Sequence, residues 1–436
     1  MRIDIQVNGG GGLLFNKITN LDDFLKIELN HLKQGKAFIV PTFITDSHTQ
    51  LENFIKIVKQ RILLNKKQYL IDDFKIILPE LFAIHIEGPF ITNKGTHPAQ
   101  YVKDFNEENV ANIVELLKPL NNLPIYFTIA PELIINKTHL LKKLKASLNI
   151  KLSAGHTKIT KNDFTILQNQ LGDHRIKMIT HLHNAMLGGH FNSDDGIPDY
   201  INESDFDGYF GFIMDGQHTA KGELLPTILN YYNNICAVSD SASPACCNID
   251  SNNNLFEMGG SIGVVEQKPN ELPTFFWTDL SKNQNINSID LEELYRLYIN
   301  GDGGYKTLAG SAVHLEQCCE FLKNLNIEKE IQKTKENKKA KALFEIGLNK
   351  LKIEEKDIKN FIIKNLDKMF IENPIKALNI NQDIKNYNFI DNKLFYKDQL
   401  FICFDEKFDK FLKSNFEDQN LLKEKIKEYL NSLYKR

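Results

Sequence analysis

Short runs of apolar and β-branched residues recur along the chain, each giving way to a polar cluster: Ile3–Val7, Ala37–Phe43, Ile76–Ile86, Pro124–Ile129, Ile150–Ser153, Lys177–Leu182, Tyr209–Met214 and Ile235–Val238. Between most of them, apolar residues fall at helical spacing: Leu21–Lys33, Gln50–Leu64, Asn106–Leu117, Lys137–Leu148, Lys161–Leu171 and Lys221–Tyr232. Continuous rather than alternating hydrophobicity predicts strands buried on both faces. Eight such strands alternating with helices predict an α/β fold, a (β/α)8 TIM-like barrel over residues 1–325, with an open doubly wound sheet as the structural alternative. The sixth connection, Met186–Asp207, reads as a loop. Residues 242–306, rich in Asn, Ser, Asp and Gly, read as an insertion or lid with some order of its own. Helical spacing resumes at Ala312–Leu325. The Lys/Glu-dense stretch Asn326–Lys368 reads as a solvated helical surface, and Tyr387–Arg436 as a small packed appendage. Residues 326–436 are thus expected to form a mainly helical C-terminal extension packed on the barrel.

Composition narrows the classes. Of 436 residues, 42% are hydrophobic and 25% charged, which suits a folded globular chain. Lys+Arg 53 against Asp+Glu 56 leaves a net charge of -3, with no basic excess to drive nucleic-acid binding. Cys236, Cys246, Cys247, Cys318, Cys319 and Cys403 offer neither C-x-x-C metal spacing nor a plausible disulfide framework. No apolar run approaches the roughly 20 residues that cross a bilayer. Asp4 and a glycine run stand where a signal peptide needs an apolar stretch. A soluble, cytoplasmic protein without a membrane partner is expected.

A barrel of this kind carries its chemistry at the carboxyl ends of its strands. Here those ends read Gln6-Val7-Asn8 before Gly9–Gly12, His85-Ile86-Glu87-Gly88-Pro89 before Gly95-Thr96-His97, Ser153–His156, Thr180–Met186, Asp215–His218 and Ser239–Ala242. Singly, each has a bland explanation: a surface histidine, a turn residue, or in Asp240 a cap for the next segment. Jointly they make a metal-hydrolase set. Glu87, His156 and His181 offer two imidazole nitrogens and a carboxylate to a divalent ion, leaving a position for water. Such a centre acidifies water and polarises a carbonyl. Asp240 is the candidate to take the water proton and return it to a leaving amine, and His97 or a backbone donor to stabilise the oxyanion. The set predicts metal-assisted hydrolysis of a C–N or C–O bond.

Read in order, the blocks DIQVNGGGG (Asp4–Gly12), VPTFIT (Val40–Thr45), HIEGP with GTHP (His85–Pro89, Gly95–Pro98), APE (Ala130–Glu132), SAGH (Ser153–His156), THLHNAM (Thr180–Met186), DGQH (Asp215–His218), SDSASPA (Ser239–Ala245), LAGS (Leu308–Ser311) and NPIKAL (Asn373–Leu378) resemble the N-acetylglucosamine-6-phosphate deacetylase family of the amidohydrolase superfamily. The resemblance implies hydrolysis of the N-acetyl group of an amino-sugar 6-phosphate, yielding glucosamine 6-phosphate and acetate. It implies one divalent ion on Glu87, His156 and His181, zinc with iron or cobalt as alternatives, and Asp240 as the acid/base that activates the water. His97 then polarises the acetyl carbonyl, while Thr96, Asn184, Ala185, His218, Leu308, Ala309 and Gly310 contact the substrate. Gln6 stands where some relatives have a second histidine and is a marginal further ligand. A homodimer is also implied.

Three departures qualify the likeness. Relatives carry an arginine for the sugar phosphate after the Asn-Ala-Met block, but Leu187–Pro198 has no arginine or lysine and brings Asp194 and Asp195 instead. His190 or His218 would have to substitute, or a cation from elsewhere, such as Lys306, Arg296 or a neighbouring subunit. Second, the usual small β-sandwich domain is expected to be reduced or missing. Third, the 242–306 insertion is long enough to reshape the pocket. Two alternatives follow: a deacetylase for an unphosphorylated or different N-acyl substrate, and a catalytically degenerate barrel.

Overall fold

The computed structural model describes all residues except 72–73, 193–194, 205, 220, 251, 260, 270, 281–289, 303–304, 381, 414–417 and 435–436. Eight strands form one parallel sheet in sequence order: β1 (Arg2–Val7), β2 (Ala37–Ile44), β3 (Ile84–Glu87), β4 (Ile125–Ile129), β5 (Ile150–Ala154), β6 (Met178–Ile179), β7 (Tyr209–Ile213) and β8 (Ile235–Val238). A parallel bridge between Val7 and Ser241 joins the last strand's extension to the first, and Asn8 N–H donates to the Ser241 carbonyl at 2.7 Å. The sheet is therefore a nearly closed barrel rather than an open doubly wound sheet. Every residue of β2, β3, β4 and β8 is buried, as continuous hydrophobicity demands of strands covered on both faces.

The connecting helices start where side chains cap them. Asn20, Ser47, Asn106 and Thr160 each accept a backbone N–H from the first turn of α1 (Leu21–Gln34), α2 (His48–Leu63), α3 (Glu107–Leu117) and α5 (Lys161–Leu171). Two further crossovers are α4 (Thr138–Ser147) and α7 (Leu224–Tyr231). The structure corrects two expectations here. The run Ile76–Ile86 is not one strand: Phe74–Ile77 pairs with Gln68–Ile71 in a separate hairpin, and only Ile84–Glu87 enters the barrel. The sixth connection is not all loop, because Gly196 and Pro198 start a short helix, α6 (Ile197–Glu203).

The insertion is a four-stranded antiparallel sheet, β9 (Leu255–Met258), β10 (Ser261–Glu266), β11 (Thr274–Asp279) and β12 (Tyr305–Leu308), followed in space by α8 (Leu291–Asn300). Its strands alternate between two buried faces. Phe256, Val265 and Phe275 pack toward Leu14, Ile44 and Ala242 of the barrel, while Leu255, Val264 and Phe276 pack toward Leu294 and Tyr298 of α8. The C-terminal extension is mainly helical but also holds a three-stranded sheet, β13 (Tyr387–Ile390), β14 (Lys393–Tyr396) and β15 (Gln399–Cys403). Its last helix (Gln419–Tyr434) returns to the insertion, burying Leu422, Ile426 and Leu430 in that second face. No helix among the described residues is long and apolar enough to cross a membrane, and all six cysteines are free.

Candidate active site

Strand order delivers the reacting groups to one end of the barrel. Glu87 is the last residue of β3, while His156, His181 and Asp240 each stand two residues past β5, β6 and β8. The last three have φ of 49°, 30° and 52°, left-handed conformations that cost a residue with a Cβ and that concentrate at functional sites. These turns aim the side chains across the barrel mouth instead of along the strands.

The Nε2 atoms of His156 and His181 each lie 3.0 Å from Oε1 of Glu87 and 3.1 Å from each other. His156 Nδ1 is 2.8 Å from the Asn93 carbonyl, an acceptor only, so Nδ1 carries a proton and Nε2 is the nitrogen that faces the carboxylate. Two imidazole nitrogens meeting at one buried carboxylate oxygen make a donor set that suits a divalent cation of the zinc type. Nearby, the buried Gln6 Oε1, Asn8 Oδ1 and His181 Nδ1 have no hydrogen-bond partner among the described residues. The donor set therefore fits a metal ion. His97 also lies close, its candidate ligand atom within 4.8 Å of those of Glu87 and His156. Its Nδ1, however, accepts the Thr45 backbone N–H at 3.3 Å, which puts the proton on Nε2 and makes His97 a hydrogen-bond donor to the cleft.

Asp240 accepts Gln6 Nε2 at 2.9 Å and Asn8 Nδ2 at 2.8 Å, both on Oδ1. Oδ2 is the oxygen left for a proton. Gln6 also donates, at 3.5 Å, to Glu87 Oε2. Through its amide N–H groups Gln6 therefore tethers Asp240 and Glu87. Burial raises the Glu87 carboxyl, but hydrogen bonds and charge from His156 and His181 outweigh burial and hold it well below the usual range. Burial and then the Glu87 charge push Asp240 up to about 6. Burial, reinforced by His156, keeps His97 well below the usual imidazole range and hence neutral.

Beneath this layer, inward-facing polar side chains satisfy one another. His85 Nε2 meets Thr128 Oγ1 at 2.7 Å, Thr128 meets Thr180 at 2.6 Å, and Ser153 meets both Thr180 and the Tyr126 hydroxyl at 2.7 and 2.9 Å. A fully paired buried network of this kind holds its members in place. Glu132, in the turn after β4, accepts the hydroxyls of Thr92 and Thr157 and the Lys158 backbone N–H. It thereby ties together the loops that follow Glu87 and His156.

The cleft above encloses about 430 Å³. Of the predicted site residues, Glu87, Thr96, His97, His156, His181, Asn184, Ala185, His218, Asp240, Leu308 and Gly310 line it. Ala309 does not; it is buried in the packing between insertion and barrel. His218 is braced through Nδ1 by Asp215 at 2.7 Å, and Asp215 also accepts Ser311 Oγ at 3.0 Å. Asp215 is a supporting residue that the i,i+3 spacing in DGQH could have signalled. Asn8, Asn93, His190, Lys221, Met258 and Lys306 also line the cleft. Met258 and Lys306 reach it through the insertion, whose Gly259 (φ +57°) passes so close to the Thr96 carbonyl that a Cβ would lie 2.5 Å from that oxygen. Arg296, a cation considered above, is exposed and paired with Glu293 instead. Asp195 pairs with Lys161 at 3.4 Å and is absent from the cleft wall, while Asp194 lies outside the described residues.

No family model matches the chain. It is 28% identical over 253 residues to the N-acetylglucosamine-6-phosphate deacetylase of Haemophilus influenzae, covering 56% of this chain and 58% of that one. It is 29% identical over 226 residues to the N-acetylgalactosamine-6-phosphate deacetylase of a Shewanella species, covering 50% and 49%. These matches thus span about half the length of the curated relatives. The fold is similar to the crystal structure of N-acetylglucosamine-6-phosphate deacetylase from Pasteurella multocida, with a TM-score of 0.57 at 19% identity over 92% of this chain and 82% of that one. The sequence likeness and the fold likeness thus fall on the same enzyme: over about half its length the chain is similar in sequence to curated N-acetylglucosamine-6-phosphate deacetylases, and it shares the fold of one that has been solved.

Proposed function

We propose that the protein is a metal-dependent hydrolase that removes the acetyl group from an N-acetylhexosamine 6-phosphate, acting in the cytoplasm. The observation that carries this reading is the triangle of Glu87 Oε1, His156 Nε2 and His181 Nε2 at 3.0–3.1 Å, with Asp240 and a neutral His97 on the same cleft. A divalent ion held by those three side chains would supply the positive charge that acidifies water and polarises an acyl oxygen. Asp240 Oδ2 takes the proton from the attacking water and returns it to the leaving amine, while Gln6 and Asn8 hold Oδ1. His97 Nε2–H donates to the acetyl oxygen as negative charge gathers there. Asn184, Thr96, Leu308 and Gly310, which line the cleft, orient the sugar in this reading.

Relatives named for the glucosamine and the galactosamine substrate match at nearly equal identity, so both C4 epimers belong in the assay. Purified protein, supplied with zinc or iron, is expected to release acetate from at least one of the two 6-phosphates and to lose that activity on chelation. Release from neither, with metal bound, would overturn the reading.

A further inference from the structure

The cleft has a cationic side that the reacting groups do not use. Apart from His97, His156 and His181, four of the lining residues can carry positive charge, but their surroundings differ. Lys306 is already matched, with Nζ 3.0 Å from Glu266 and 3.7 Å above the Phe276 ring. His218 is engaged with Asp215 and close enough to Asp240 to act on its charge, which places it at the reacting end. His190 and Lys221 remain, and both are positioned by one carboxylate. Glu223, whose side chain is fully buried, takes His190 Nδ1 on Oε1 at 2.7 Å and the Lys221 backbone N–H on Oε2 at 2.9 Å. That fixes the His190 ring so that Nε2 is its free nitrogen. The Lys221 ammonium is exposed on the cleft with no carboxylate partner among the described residues.

The loop that presents His190 is built for close return. Gly189 packs so near the His183 carbonyl that a Cβ would lie 2.2 Å from its oxygen, and Phe191 stacks edge-on to the His183 ring at 4.8 Å. With Phe191 turned inward, His190 is left a third exposed at the cleft. Among the described residues the buried Glu223 carboxylate bonds only to the His190 ring and to the Lys221 backbone N–H, so one group positions both cleft residues. Held through Nδ1, the His190 ring turns its Nε2 toward the cleft that Lys221 also lines.

We propose that this chain grips the anionic end of its substrate, a phosphate monoester, with Lys221 and His190 braced by Glu223, at a different place in the sequence from the arginine expected after Met186. The proposal rests on the deacetylase reading for its substrate class, but its test is independent of acetate chemistry. Metal-loaded protein is titrated with glucose 6-phosphate, which has the phosphate and no acetyl group, and with glucose. Tighter binding of the phosphate ester is expected, and K221M or H190Q should weaken it by about tenfold or more, the usual effect of losing a charge-assisted contact. K221R should restore it. Lys221 makes no side-chain hydrogen bond or ion pair among the described residues, so K221M isolates its charge from folding. Equal affinity for the two sugars, or K221M and H190Q both within about twofold of the parent, overturns the proposal. Acetate release separates the failures: none from any N-acetylhexosamine defeats the reaction, whereas equal kcat/KM with phosphorylated and free sugars defeats only this subsite.

Discussion

At the floor of the cleft, Glu87, His156, His181 and Asp240 stand on, or two residues beyond, a strand of the parallel barrel. At the rim, the lining comes from the Thr96 loop, the Asn184–His190 loop, Lys221 and the insertion that brings Met258 and Lys306. The insertion is in turn held from behind by Leu422, Ile426 and Leu430 of the last helix. Gln419 fixes the edge of β9 by bonding both the N–H and the carbonyl of Leu255, at 3.1 and 3.0 Å. The floor thus rests on backbone pairing, and the rim on side-chain packing between segments far apart in sequence. A chain can keep the first while remodelling the second, because the two rest on different interactions.

Substitutions can separate the two regions. His156→Ala should be the most severe, removing metal and turnover together, as elemental analysis beside an acetate assay would show; full metal occupancy would mean that the ligand set is misassigned. Asp240→Asn should leave metal content intact while turnover falls by about 10²–10⁴-fold, because the proton acceptor is gone. His97→Ala should cost about 10²–10³-fold in kcat through loss of the carbonyl donor, with binding of glucose 6-phosphate retained. Glu132→Ala should release the Thr92 and Thr157 loops and weaken metal affinity by about 10–100-fold, measured by competition with a chelating dye. Ile426→Ala belongs to the rim. It should destabilise the insertion packing by about 2–5 kcal/mol in a denaturant melt and raise KM, with metal affinity unmoved. If Ile426→Ala instead lowered metal affinity as much as Glu132→Ala, floor and rim would not be separable units.

The parts of the fold visible in the sequence were those with a short-range signature. Strands such as Ala37–Ile44 and Ile235–Val238 are continuous apolar runs, and helices such as Lys161–Leu171 carry both a helical apolar face and a capping residue. The reacting residues were visible because a barrel places chemistry at strand ends, so position along the chain stands in for position in space. In the insertion the sequence indicated only some order of its own; its strands, Leu255–Met258, Ser261–Glu266, Thr274–Asp279 and Tyr305–Leu308, are short and separated by polar loops, which concealed that they form one sheet.

The sequence by itself determined the repeating strand–helix order and the chemical identity of the groups at the barrel mouth, because both depend on local pattern and on one general rule of barrel geometry. Only the tertiary structure decided that Gln6 donates to Asp240 and Glu87, that Ala309 turns into the core, that Asp195 pairs with Lys161 away from the cleft, and that His190 and Lys221 share Glu223. Each of these depends on which distant side chain happens to stand within 3–4 Å. Hydrogen bonds and ion pairs act only over that range, so no spacing along the chain encodes them.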